Sequence, residues 1–153
     1  MLTVLKVFPG LSHRCETVGE SNGVIFINDS KATNVGATAA AIKGLASDPA
    51  NIILIAGGDA KGADLSDLRD LIQQYVKTVS AFGQDGPQFA AICGEIVPFS
   101  FHENLDSAFQ YALSFAREGD LLLLSPACSS LDMYPNFEAR GSHFSRLARA
   151  LCH

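Results

Sequence analysis

Short apolar runs alternate with helical patterns along most of the chain. Residues 51–56 and 120–124 each begin with one polar residue and are otherwise apolar. Such runs are typical of strands buried on both faces of a sheet. Further strands are predicted over 15–18, 24–28, 78–82 and 97–101, and helices over 34–45, from about 66, 85–93, 104–117 and about 137–152. This alternation predicts an α/β fold, in which a mostly parallel sheet of about six strands carries helices on both faces.

Three polar loops each follow an apolar strand of this pattern. We name them the first rim loop (residues 28–34), the second rim loop (57–62) and the third rim loop (125–130). Because parallel strands place their carboxyl ends at one edge of a sheet, we expect the three loops to converge on one rim. The first rim loop carries an acid, two hydroxyls, a lysine and amide side chains, and therefore offers acceptors, donors and a cation to a single ligand.

The composition excludes several classes of protein. The 153 residues carry a formal net charge of −5 and no Lys/Arg-rich run, so a nucleic-acid partner is not expected. No stretch reaches the roughly 18 apolar residues of a membrane span, and residues 1–6 are too short and mixed for a signal peptide. Cys15, Cys93, Cys128 and Cys152 are widely spread without metal-ligand spacing. This spread argues against zinc and disulfides and predicts small buried side chains in a cytoplasmic protein.

Charged side chains near the strand ends are candidates for binding an anion. Lys31 and Lys61 each follow a strand among small residues, and a lysine suits a carboxylate or a phosphate. The alternative for both is a solvated surface lysine. Arg14 either offers a planar fork to a phosphate or forms an exposed salt bridge. Gly57 and Gly58 form either a tight turn or a place where a ligand approaches the backbone closely.

Other polar side chains have a structural interpretation as well. Asp29 and Thr33 suit helix capping, as does Asn34, and the Ser130 hydroxyl lies in an apparent turn where it can satisfy backbone groups. Arg140, beside a glycine, indicates no more than the end or a bend of the last helix, and the histidines after residue 100 are treated as structural or surface residues. The sequence has neither the phosphate loop G-x-x-x-x-G-K-[ST] nor the dinucleotide motif G-x-G-x-x-G. Residue chemistry alone therefore predicts an α/β domain with a rim for a small anionic ligand.

Four ordered motifs resemble those of the Mur ligases of peptidoglycan synthesis, and within that family the ligases that add D-glutamate. They are Gly-Leu-Ser-His-Arg at 10–14, Asn-Asp-Ser-Lys-Ala-Thr-Asn at 28–34, Gly-Gly-Asp-Ala-Lys at 57–61 and Ser-Pro-Ala-Cys-Ser-Ser-Leu-Asp at 125–132, with Asn-Phe-Glu at 136–138 and Arg-Gly at 140–141. The similarity begins near residue 8 and covers only the C-terminal third of such an enzyme. It implies a Rossmann-like three-layer domain over 10–153, preceded by the remnant of a linker over 1–9.

The resemblance implies a part in an ATP-dependent, amide-forming reaction. In the family, the carboxylate of UDP-N-acetylmuramoyl-L-alanine is phosphorylated, and the amine of D-glutamate attacks the resulting acyl phosphate. The C-terminal domain holds D-glutamate and covers the nucleotide, whereas ATP and Mg²⁺ bind mainly to a central domain. No catalytic residue and no metal ligand is therefore expected in this chain, and the isolated domain is expected to be folded but inactive.

The resemblance assigns five residues to D-glutamate. Lys61 and Thr33 would hold the α-carboxylate, with Lys31 close by. The Ser130 hydroxyl and the Phe137 backbone N–H would hold the side-chain carboxylate. A dicarboxylate needs two separated anion sites, and the second and third rim loops would supply one each.

The resemblance assigns Arg14 and Asp29 to the nucleotide, with Arg14 at the ATP phosphates and Asp29 at the ribose hydroxyls. The nearest alternative is a ligase domain like that of folylpolyglutamate synthetase, which also adds glutamate; the 125–132 motif favours the D-glutamate ligases. A stand-alone binding module for an anionic metabolite is an alternative from a different class.

Overall fold

The computed structural model describes residues 13–47 and 49–152, so the predicted linker over 1–9 lies outside the described residues. The strands are β1 Glu16–Ser21, β2 Val24–Asn28, β3 Ile52–Gly57, β4 Val76–Phe82, β5 Phe99–His102 and β6 Leu121–Leu124. The α-helices of the described residues are α1 Val35–Leu45, α2 Arg69–Tyr75, α3 Phe89–Cys93, α4 Leu105–Phe115 and α5 Phe137–Arg149. Single 3₁₀ turns, Leu65–Leu68 and Gly86–Gln88, precede α2 and α3.

One six-stranded sheet organises the domain, in the order β1-β2-β6-β3-β4-β5. All neighbouring pairs are parallel except β1 and β2, which pair antiparallel. The last strand in the sequence, β6, lies at the centre between β2 and β3. The predicted α/β fold with a mostly parallel six-stranded sheet is confirmed.

Apolar side chains form a separate core on each face of the sheet. In β3, Ile52 and Leu54 belong to one core and Ile53 and Ile55 to the other, and all four are fully buried. This is the reason why β3 and β6 are continuously apolar, since successive side chains of a strand point to opposite faces. The first core is covered by α1, α2 and α3 and the second by α4 and α5, which gives the predicted three layers.

Local differences from the prediction have identifiable causes. Strand β1 extends to Ser21 because an Asn22–Gly23 turn, with both residues at positive φ (53° and 80°), folds it back onto β2. Asn-Gly is the preferred sequence for such a hairpin turn. Among the candidate caps of α1, Asn34 makes the bond, with its side chain accepting from the Ala37 N–H over 2.9 Å.

The four cysteines are free thiols. Cys93 and Cys128 are buried, as predicted, and burial raises the pKa of Cys93 to about 11 and that of Cys128 to about 12. Cys15 and Cys152 are half-buried. None of the helices in the described ranges is long and apolar enough to cross a membrane.

Candidate functional site at the carboxyl edge of the sheet

The three rim loops converge at one edge of the sheet, as predicted. The strands that lead into them, β2, β6 and β3, are neighbours, so the third rim loop lies between the other two. The Ala127 N–H donates to Ala32 O over 2.9 Å and joins the third loop to the first. The Ser129 N–H donates to Asp59 O over 2.8 Å and joins it to the second. Backbone hydrogen bonds therefore make the three loops one continuous surface.

The fully buried guanidinium of Arg140 fastens the first and third loops to α5. Its Nε donates to Ser30 Oγ over 3.0 Å, its Nη2 to Ser30 O over 2.8 Å and its Nη1 to Cys128 O over 3.0 Å. Within residues 13–47 and 49–152, no carboxylate lies at salt-bridge distance from it. Burial lowers the pKa of Arg140 to about 10, so the side chain keeps its charge at neutral pH. A buried cation that binds only carbonyl and hydroxyl oxygens holds these loops in place.

Further hydrogen bonds dock the start of α5 against the first rim loop. Ser30 Oγ donates to Phe137 O over 2.7 Å. Asn28 Nδ2 lies 3.0 Å from both Gly141 O and Ser145 Oγ. The helix that carries Phe137 therefore begins at the rim, where the N–H groups of its first turn have no acceptor within the helix.

The Gly57 and Gly58 pair serves close packing of the protein's own backbone. Both residues have φ near +130°, a conformation that favours glycine. A Cβ at Gly57 would overlap Phe82 O, and one at Gly58 would overlap Ser129 O. Gly57 ends β3 and Gly58 lies in the bend that follows, so close backbone packing rather than a tight turn requires these glycines, and the approach of a ligand stays a prediction.

A cleft of about 520 Å³ opens beside the first rim loop. It is lined by Arg14, Asp29, Lys31 and Thr33, together with Cys15 and small residues of α1. The structure thus brings both candidate nucleotide residues and two of the candidate glutamate residues into one cavity. Lys61, Ser130 and Phe137 are not among the residues that line it.

Asp29 lies at the base of this cleft with only 4% of its surface exposed. Its Oδ2 accepts from Ser125 Oγ over 2.8 Å and its Oδ1 from the Cys15 N–H over 3.0 Å. Burial raises the pKa of Asp29 above its usual value, although these hydrogen bonds act in the opposite direction. A carboxylate accepts about four hydrogen bonds, so each oxygen keeps capacity for a ligand hydroxyl.

Replacing Asp29 by asparagine is expected to raise the thermal unfolding midpoint at pH 7. Because the pKa is raised in the folded state, the unfolded chain releases this proton at a lower pH than the folded chain does. Stability is therefore lost as pH rises from the ordinary aspartate range through the raised value, and asparagine avoids that loss. The midpoint should be measured from pH 3.5 to 7, and the advantage of the variant should shrink towards acid. Asp67→Asn, at an exposed position, is the control; an advantage of Asp29→Asn that grew towards acid would contradict the assignment.

Lys31 connects the cleft with the start of α5. Its Nζ lies 5.2 Å from the centre of the Phe137 ring, within the range of a cation–π contact. Ser130 is buried, and its hydroxyl has no hydrogen-bond partner among the described residues. The Ser130 hydroxyl and the Phe137 N–H are therefore both available to a ligand.

Lys61 lies apart, on the exposed second rim loop. Its backbone has a positive φ of 51°, and its N–H donates to Asp59 Oδ1 over 2.9 Å. Over the described ranges its ammonium makes no hydrogen bond and no ion pair. The structure thus places the Lys61 side chain at the rim with its charge open to solvent.

Arg140 and Ser125 are rim residues that sequence reasoning missed. A signal for Arg140 was present, because Arg140, Phe144 and Ala148 recur at a spacing of four and share the buried face of α5. No local pattern distinguishes Ser125, whose hydroxyl binds Asp29 from a loop distant in the sequence.

The fold and the rim together define a Rossmann-like α/β domain with a cation-bearing cleft at the carboxyl edge of its sheet. Its sequence matches the family described as "Mur ligase, glutamate ligase domain" over residues 13–128. The chain belongs to this family.

Two relatives with about half of their aligned residues identical to this chain are D-glutamate ligases by name. The UDP-N-acetylmuramoylalanine–D-glutamate ligase of Saccharophagus degradans is 52% identical over 92% of this chain and 31% of its own length. That of Pseudomonas aeruginosa is 49% identical over 99% of this chain and 34% of its own length. The chain therefore spans about a third of the length of these relatives.

Solved structures of low sequence identity show the same fold. A murein peptide ligase from Psychrobacter arcticus aligns with a TM-score of 0.64 at 17% identity, over 97% of this chain and 32% of that one. A bifunctional folylpolyglutamate synthase/dihydrofolate synthase, solved with Mn, AMPPNP and L-glutamate bound, aligns with a TM-score of 0.61 at 15% identity, over 91% of this chain and 32% of that one.

Proposed function

We propose that this chain is the C-terminal domain of an ATP-dependent ligase that adds D-glutamate to UDP-N-acetylmuramoyl-L-alanine. The observation that carries the proposal is the cleft, in which Arg14, Asp29, Lys31 and Thr33 meet. Two cations, a buried carboxylate and a hydroxyl are the groups that a nucleotide and an amino acid require side by side. The names of the two relatives describe this addition, and the family of this chain is that of glutamate ligase domains.

The nucleotide half of the proposal rests on Arg14 and Asp29. The exposed Arg14 lines the cleft and offers paired donors to phosphate oxygens. Asp29 has acceptor capacity left at the base of the same cleft, which suits ribose hydroxyls. ATP would supply the phosphoryl group, and Arg14 and Asp29 would hold it from the side of this chain. No group of three or more His, Cys, Asp or Glu side chains in the described residues is arranged to hold a metal ion.

The D-glutamate half of the proposal uses two separated anion sites. Lys61 and Thr33 hold the α-carboxylate with Lys31 beside them. The Ser130 hydroxyl and the Phe137 N–H hold the side-chain carboxylate, and the Lys31 ammonium lies 5.2 Å from the Phe137 ring beside this second site. These residues act by orienting the amine of D-glutamate. Correct orientation of two reactants lowers the activation barrier of their reaction by a large amount.

The proposal places the reaction in peptidoglycan synthesis in the cytoplasm, and hence in cell-wall growth and division. The 153-residue chain alone is expected to release no phosphate from ATP, because it contains no phosphate loop.

The test is an assay of phosphate release by the intact ligase that carries this chain. With ATP and UDP-N-acetylmuramoyl-L-alanine present, D-glutamate should support turnover at least 100-fold better than L-glutamate. The chain alone, under the same conditions, serves as the control and should show no turnover. A preference for L-glutamate would instead favour the folylpolyglutamate-synthetase-like alternative and overturn the proposal.

A further inference from the structure

A chain of hydrogen bonds between three side chains lies outside the cleft. His143 Nε2 is 2.9 Å from Asp106 Oδ1, and His143 Nδ1 is 2.7 Å from the Tyr134 hydroxyl. Asp106 is in the first turn of α4 and His143 is on α5, whereas Tyr134 lies in residues 131–136, which we call the connecting segment. The three residues therefore tie the connecting segment to two helices.

The connecting segment lies between the two groups proposed to hold the side-chain carboxylate. Ser130 immediately precedes it and Phe137 immediately follows it. The Tyr134 N–H donates to Ser130 O over 2.8 Å, so the backbone of Tyr134 is bonded directly to the serine. The helix that begins at Phe137 also carries His143. The bond between Tyr134 and His143 thus links the backbone beside Ser130 to the helix that begins at Phe137.

The protonation states agree with a fixed arrangement. The phenol of Tyr134 faces Asp106, Asp132, Arg140 and Arg146, and burial raises its pKa to about 12. The phenol therefore keeps its proton at neutral pH. The protonated phenol of Tyr134 can donate to His143 Nδ1, and His143 Nε2–H can donate to Asp106 Oδ1. Donors and acceptors match along the whole chain of bonds.

We propose that Tyr134 and His143 are positioning residues for the side-chain carboxylate of D-glutamate, acting through Ser130 and Phe137. This inference rests on the proposed function, because the carboxylate site is part of it. A ligand carboxylate that needs a hydroxyl and an N–H at once gains from a fixed spacing between them, since the ordering cost is met before binding.

Tyr134→Phe in the intact ligase tests the inference. The variant should raise KM for D-glutamate about 5- to 10-fold, with KM for ATP and kcat within twofold of the parent. Such a split is not expected from a general loss of folded enzyme, which lowers kcat alone. The matched control is Tyr111→Phe on α4, whose hydroxyl makes no hydrogen bond in the described ranges. Unchanged KM for D-glutamate in Tyr134→Phe would overturn the inference.

His143 provides a second pair of variants. Glutamine places an amide N–H and a carbonyl oxygen at a spacing similar to that of the two ring nitrogens, whereas leucine offers neither. His143→Gln should keep KM for D-glutamate within about twofold of the parent. His143→Leu should raise KM for D-glutamate as much as Tyr134→Phe does. Equal KM values for the two variants would contradict a role for the hydrogen bonds.

A ligand-free measurement separates this inference from the proposed function. In the 153-residue chain, Tyr134→Phe should shift the amide NMR signals of Ser130 and Phe137, and Tyr111→Phe should not. Unchanged signals would overturn the inference even if the ligase uses D-glutamate. Shifted signals in a chain whose parent ligase ignores D-glutamate would instead place the failure in the proposed function.

Discussion

Arg140→Ala is expected to destabilise the folded chain by about 3–5 kcal/mol, because the variant leaves buried polar groups without partners. Ser30 O and Cys128 O each lose a charged donor, and Ser30 Oγ loses another. Each unsatisfied buried group costs about 1–3 kcal/mol, and the cavity left by a fully buried side chain adds to this. Urea unfolding followed by circular dichroism measures the change as a fall in the free energy of unfolding.

Two further variants show which property of Arg140 matters. Arg149→Ala on the same helix is the control, since Arg149 is exposed and its loss should change stability by no more than about 0.5 kcal/mol. Arg140→Met removes the buried charge but fills most of the volume. Its loss of unfolding free energy therefore measures the effect of the unpaired carbonyl groups separately from the effect of a cavity. A loss below about 1 kcal/mol in Arg140→Ala would show that the guanidinium does not hold the loops together.

The layers of the fold follow from the sequence because parallel strands must be apolar on both faces. Strands β3 and β6 therefore appear as unbroken apolar runs, and the loops that follow them are predicted to share an edge of the sheet. The same pattern predicts the rim at the carboxyl edge of the sheet. This prediction depends on local pattern and chain direction, both of which a single sequence contains.

The order of the strands does not follow from the sequence. Nothing in residues 121–124 indicates that β6 lies between β2 and β3, because the choice among parallel neighbours is made by packing of side chains from distant segments. The placement of Asp29 beside Ser125 depends on that choice. The hairpin between β1 and β2 is a different case, because the Asn22–Gly23 signal was present in the sequence.

The sequence spacing around Arg140 predicts its burial but not the hydrogen-bond partners of its guanidinium. Its spacing with Phe144 indicates a buried position on α5, but it cannot show which oxygens replace water around the guanidinium. Those oxygens come from the first and third rim loops, which follow the paired strands β2 and β6. The binding partners of a buried charge are a property of the tertiary fold.

Lys61 and Lys31 are the two candidate cations for the α-carboxylate, and their surroundings differ. Lys31 is exposed, and its ammonium lies 5.2 Å from the centre of the Phe137 ring. Lys61 makes no such contact in the described residues, and its left-handed backbone sets the direction in which its side chain leaves the loop. An ammonium without an internal partner is the one that gains most from a ligand carboxylate.

Lys61→Ala in the intact ligase is therefore expected to lower kcat/KM for D-glutamate about 10- to 100-fold, as the loss of one charge-assisted hydrogen bond predicts. KM for ATP should stay within twofold, because Arg14 and Asp29 lie in a cleft that Lys61 does not line. Lys43→Ala on α1 is the matched control, since it removes an equal charge from an exposed helix position. The thermal unfolding midpoint should be the same in the parent and both variants. Unchanged kcat/KM for D-glutamate in Lys61→Ala would remove Lys61 from the site and leave the α-carboxylate to Lys31 and Thr33.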